Sequence, residues 1–176
     1  MTVEALRRGE PHVLAELLSQ YGREIQGVAY LILRNAADAE DVLMDTLITA
    51  LDRGSRLREP SAMRPWLLKI ATNLALGRHR RFGRVTWLEL APDRPAPAMD
   101  ATEHVALVQG LETLPVRQRT AVVLRYYADL PVAEVAAAMS TSENTVKTHL
   151  RNGLARLRQQ LDMSAQSSSR AGASNV

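Results

Sequence analysis

The sequence contains no cysteine, which excludes a disulfide scaffold and any thiolate zinc finger and fits a reducing cytoplasm. Aromatics are scarce, with one phenylalanine, two tryptophans and four tyrosines among 176 residues. Strand-like alternation of β-branched residues is nearly absent, and such an alanine- and leucine-rich chain predicts an all-α fold. The longest apolar run, near Val28 to Leu33, is far too short to span a bilayer, and the first dozen residues lack the apolar stretch of a signal peptide. A soluble, cytoplasmic chain without membrane insertion is expected. Catalytic signatures are missing as well. His12, His79, His104 and His149 are scattered, and no HExxH, P-loop, GxGxxG or GxSxG motif occurs. The neighbours Glu40 and Asp41 point in different directions on a helix instead of converging as an acid–base pair. Neither catalysis, a metal nor a cofactor is expected.

Net charge is only +3, from 22 basic and 19 acidic side chains, so distribution matters more than the total. Positive charge concentrates at Arg78-His79-Arg80-Arg81-Phe82-Gly83-Arg84 and along the last helix. Acids gather at Asp38, Glu40, Asp41 and Asp45. The two clusters need different partners.

The segment from Asp129 to Arg158 reads as two short helices joined by a tight turn. Val132, Val135, Ala136 and Met139 recur at helical spacing, with Pro131 near the first turn, where a missing N–H costs least. This helix ends by Ser140. Ser142 is placed as the N-cap of the next, whose buried stripe is Val146, Leu150, Leu154 and Leu157. The opposite face carries Asn144, Thr145, Lys147, Thr148, His149, Arg151, Asn152 and Arg156, donors suited to base edges and phosphates in a major groove. A solvated helical hairpin would show the same periodicity.

Residues 1–84 read as one helical domain. Val13, Leu14, Leu17, Leu18 and Tyr21 begin an apolar stripe that Ile25, Val28, Ala29, Ile32 and Leu33 continue, with Gly22 and Gly27 as weak points. A second helix runs from about Asp38 to Leu51, its acids near the positive N-terminus. A third carries Trp66 to Leu74 after Pro65. Residues 85–100, with Pro92, Pro95 and Pro97, read as a flexible linker. Residues 101–163 form a second helical domain, and the small, polar residues 164–176 predict a disordered tail.

Three segments, in order and at matching spacing, resemble the extracytoplasmic-function (ECF) group of bacterial sigma-70 factors. Asp38-Ala39-Glu40-Asp41-Val42 is similar to the region 2 helix that binds the clamp helices of the beta-prime subunit of RNA polymerase. Pro65-Trp66-Leu67-Leu68-Lys69-Ile70-Ala71-Thr72-Asn73-Leu74-Ala75 is similar to the helix that opens and reads the minus-ten element. Leu114-Pro115-Val116-Arg117-Gln118-Arg119, Leu124-Arg125-Tyr126-Tyr127 and the helix-turn-helix resemble region 4, reader of the minus-35 element.

The resemblance implies core polymerase contacts at Asp38, Glu40, Asp41 and Asp45, and minus-ten contacts at Trp66, Lys69, Asn73, Arg78, Arg80 and Arg81. It implies minus-35 contacts at Arg119, Arg125, Thr145, Lys147, Thr148, His149, Arg151, Asn152 and Arg156. The implied partners are core polymerase, through the clamp helices and the beta flap, promoter DNA and an anti-sigma factor. Trp66 also suits a core position, and the acids of the second helix also suit its dipole. Departures from the family pattern fall at Met44-Asp45, Leu47, Thr49 and Leu51, and at Pro131, Ser140, Thr141, His149 and Asn152. Residues 144–150 also resemble the recognition helix of LuxR-type regulators. A stand-alone regulator of that type, or a polymerase-binding adaptor, are therefore the alternatives.

Overall fold

The computed structural model describes residues 6, 8, 12–54, 57, 59–82 and 109–173, and every regular element among them is helical. Helix α1 spans His12–Leu33, α2 Ala36–Arg53 and α3 Met63–Phe82. The three pack mutually around Leu17, Ile25, Val28, Ile32, Val42, Leu47, Leu67, Leu68 and Ala71, all nearly inaccessible to solvent. Gly22 and Gly27 do not interrupt α1, because burial of the continuous stripe outweighs about 1 kcal/mol of helix propensity per glycine. The break comes at Arg34, in the left-handed region with φ 59°. Asn35 then caps α2, its side chain accepting from the Asp38 N–H at 3.0 Å. A short 3-10 turn at Pro60–Ala62 leads into α3, which places Pro65 in the first turn, where its missing N–H is harmless.

The second unit opens on a helical turn at residues 109–112. Helix α4 spans Val116–Val122 and widens into a π-helical turn over Val123–Tyr127, where the sequence pattern predicts ordinary helix. Helices α5, Val132–Ala138, and α6, Glu143–Ala173, form the helix-turn-helix. The backbone of α6 is helical through residues 164–173, where composition predicts a disordered tail; alanine, glutamine and arginine there all tolerate helix. The linker assigned to residues 85–100 lies outside the described residues.

The two units pack on each other. Helix α1 meets α4 and the π turn, and α3 meets α5. Buried apolar residues of both units form one continuous cluster.

Candidate nucleic-acid and polymerase interface

The positions 38, 41 and 45 are spaced to share one face of α2, and that face meets α3. The Arg78 guanidinium reaches all three carboxylates, at 3.3 Å from Asp38, 2.9 Å from Asp41 and 3.2 Å from Asp45. Burial works against its charge, but the hydrogen bonds it donates to Asp45 and Asp41 outweigh that and hold its pKa above the ordinary value. Arg78, which the resemblance groups with the minus-ten residues, is thus paired with the acids of α2 in this arrangement. Glu40 is exposed outside this cluster. Along the same helix Met44 and Ile48, one turn apart, are 45% and 53% exposed. Ile48 was not among the sequence candidates; its signal was an apolar residue at i+4 from Met44, outside the buried Val42–Leu43–Leu47 stripe.

Helices α2 and α3 enclose a surface pocket of about 390 Å³ lined by Thr49, Arg53, Trp66, Lys69, Ile70, Asn73 and Leu74. Trp66 does both things its position allows, packing one side against the core and lining the pocket with the other. Asn73 donates from its amide nitrogen to the Lys69 carbonyl at 2.9 Å, which fixes the side chain against its own helix. Thr49 donates its hydroxyl to the Asp45 carbonyl at 2.7 Å. Arg53 was missed because it lies far in sequence from the α3 motif. Arg80 and Arg81 are exposed in the last turn of α3, where cations suit the helix dipole.

In the helix-turn-helix, Ser142 caps α6 as its spacing predicts, accepting from the Thr145 N–H at 3.2 Å. The turn before it holds Ser140 at φ 52°, a left-handed conformation that favours glycine. Val146 and Leu150 are buried, while Leu154 and Leu157 are half-buried. Thr145, Lys147, Thr148, Arg151, Asn152 and Arg156 are exposed along one broad arc of α6. His149 is half-buried at the edge of that arc, its pKa lowered by burial and by the Arg117 charge. Arg125 lies 3.3 Å from Asp129 and over the Tyr126 ring.

Arg119 is the exception among the minus-35 candidates. Only 9% exposed, it donates to the Ile32 carbonyl at 2.9 Å and the Leu114 carbonyl at 3.1 Å, so in this arrangement it reaches no phosphate. The sequence showed a cation in a helix; it did not show that the neighbouring unit ends a helix against it.

No helix among the described residues is long and apolar enough to cross a membrane, and no cluster of metal-ligating side chains occurs among them.

Residues 17–85 match the family model for sigma-70 region 2, and residues 104–157 match that for sigma-70 region 4. The chain is 30% identical over 157 residues to the ECF RNA polymerase sigma factor SigM of Mycobacterium tuberculosis, covering 85% of this chain and 77% of that protein. It is 27% identical over 151 residues to the RNA polymerase sigma factor SigV of Bacillus subtilis, covering 85% and 91% respectively. Among solved structures, the sigma factor RpoE of Bartonella quintana, in complex with the anti-sigma factor NepR, superposes with a TM-score of 0.70 at 20% identity, covering 86% of this chain and 98% of that one. CnrH, in complex with the cytosolic domain of CnrY, gives 0.67 at 21% identity, covering 92% and 95%. The chain belongs to the ECF group of sigma-70 RNA polymerase sigma factors. It directs transcription initiation, as a non-enzymatic subunit that binds core polymerase and promoter DNA. A region 2 unit ahead of the helix-turn-helix is not the sensor domain that the LuxR-type alternative requires.

Proposed function

We propose a division of this activity among three surfaces. The exposed side of α2 docks the beta-prime clamp helices, with Asp38, Glu40, Asp41 and Asp45 drawing in a basic partner and Met44 and Ile48 supplying the apolar contact. The pocket beneath Trp66 and Asn73 receives an unpaired minus-ten base, with Lys69, Arg80 and Arg81 following the strand. The arc from Thr145 to Arg156 enters the minus-35 major groove, and the second unit also meets the beta flap.

The observation that carries this reading is the pocket itself. It joins an aromatic ring, an amide and two cations in one concavity. Unstacking a base costs a few kcal/mol, and stacking on an aromatic side chain returns roughly 1–3 kcal/mol. An amide adds hydrogen bonds to a base edge, and the cations neutralise phosphates. An anti-sigma factor covering the exposed Met44 and Ile48 fits the same chemistry, and the site of action is the cytoplasm, with the polymerase.

Reconstituted transcription with sigma-free core on a promoter library tests the assignment, scoring core binding, open-complex formation and start sites. Specific initiation is expected. Core binding without initiation would instead mark the chain as an adaptor.

A further inference from the structure

Thr49 and Arg53 stand one turn apart on α2, and Trp66, Ile70 and Asn73 follow one another at single-turn spacing on α3. The pocket lies between these two rows. Its polar groups divide into acceptors and donors. The Thr49 hydroxyl donates its proton to the Asp45 carbonyl at 2.7 Å, so its oxygen can only accept from a ligand. Asn73 donates an amide proton to the Lys69 carbonyl, which leaves Oδ1 as an outward acceptor, 3.4 Å from the Ser140 hydroxyl of the turn before α6. The charged donors are Lys69 and Arg53.

Arg53 differs from its neighbours Arg64 and Arg78. Arg64 is held by Glu24, and Arg78 by three carboxylates. Arg53 is exposed in the last turn of α2 and makes no ion pair or hydrogen bond among the described residues. A cation there offsets the helix dipole, a role that lysine fills as well as arginine. A guanidinium adds a rigid planar fork, and the commonest specific partner of that fork on a base is the O6/N7 edge of guanine.

We infer that Arg53 sets the base preference of this pocket and that the base it selects is guanine. This deepens, and rests on, the reading of the pocket as the receiver of an unpaired minus-ten base. Of the four bases only guanine carries an acceptor pair on one edge, O6 and N7, and a donor pair on the next, N1–H and N2–H. The Arg53 fork meets the first, and the acceptors of Asn73 and Thr49 serve the second. Adenine would set its N6–H donors against the fork. Cytosine and thymine have no separate acceptor edge, so one edge would have to serve both walls. The bicyclic ring also offers Trp66 the larger stacking face.

The test uses core polymerase loaded with the full chain, and fork promoter fragments whose minus-ten segment is unpaired. An abasic nucleotide placed at each unpaired position locates the pocket's base, as the position where the loss of affinity is smaller for Asn73→Ala than for the native chain. If no position behaves so, the pocket receives no base, and the guanine assignment falls with that reading. At the located position guanine should bind about tenfold more tightly than the other three bases, and 7-deazaguanine, which lacks N7, should lose most of that margin. Arg53→Ala should abolish the preference. Arg53→Lys should melt with the native chain and keep the salt dependence of binding, yet lose the preference, because it retains the charge without the fork. A located base with a preference for adenine, cytosine or thymine, or a guanine preference that survives Arg53→Lys, would overturn the assignment while leaving the pocket a base receiver.

Discussion

The Arg78 guanidinium of α3 lies 2.9 Å from the Asp41 carboxylate of α2, and the same guanidinium also meets Asp38 and Asp45. The acidic surface that the family motif assigns to polymerase is thus already tied to the helix assigned to DNA. One cation among three carboxylates leaves that surface net negative, so it still attracts a basic partner while fixing α3 on α2.

Arg78→Ala should destabilise the first unit by roughly 1 kcal/mol, a modest value because the carboxylates are partly exposed and their pairs are screened by water. Urea unfolding checks this. The deficit should shrink at high salt, which screens the exposed charges that Arg78 holds together. In promoter binding, Arg80→Ala should lower the salt slope by about one phosphate unit. Arg78→Ala should not, because its guanidinium is already engaged; an equal loss of slope from both variants contradicts that assignment.

Ser140 sits at φ 52°, where a side chain costs roughly 1–2 kcal/mol relative to glycine, less the entropy glycine loses on folding. Ser140→Gly should therefore raise stability by about 1 kcal/mol. Ser140→Ala keeps the strain and gives up the hydroxyl, so it should not stabilise. Thermal unfolding of the two variants beside the native chain separates backbone strain from the contact with Asn73, and equal midpoints would remove strain as the explanation.

Helix periodicity made most of this architecture legible in the sequence. The stripes ending in Leu33, Leu51 and Leu157 place α1, α2 and α6, and the Ser142 cap marks where α6 begins. Local pattern also brought Trp66, Lys69 and Asn73 together, because three and four residues separate neighbours on one helical face. It could not reveal contacts between distant helices. Arg78 and Arg119 read as solvent-facing cations from their neighbours in sequence, yet each is engaged by a group at least 33 positions away. The π turn at Val123–Tyr127 escaped because the same residues suit an ordinary helix.

His79 should make stability depend on pH. Burial and the Arg119 charge lower its pKa below the ordinary value, so the folded chain holds its proton less tightly than the unfolded chain. Stability is then complete above about pH 6.5, the unfolded value, and falls as pH drops toward the folded pKa. His149 carries a shift of the same sign. Unfolding free energies at about pH 7.5 and about pH 5, measured for the native chain, His79→Gln and His149→Gln, divide the effect between them. If His79→Gln loses as much stability on acidification as the native chain, its assigned share is absent.

Asn73→Ala should impair promoter opening more than core binding, because the amide lies in the α3 pocket and not on the exposed α2 surface. Permanganate footprinting of melted thymines reads the first, and fluorescence anisotropy with labelled core reads the second. Equal loss in both would move Asn73 from base recognition to general support of the unit.

Lys147 is exposed on α6, on the same arc as Arg151, and its ammonium is a flexible point charge suited to a phosphate and not to a bidentate base contact. Lys147→Ala should therefore weaken binding to all promoter sequences alike and reduce the slope of log affinity against log salt by about one unit. A change in sequence preference with an unaltered slope would instead place Lys147 at a base edge. The titration is made with the core-bound protein.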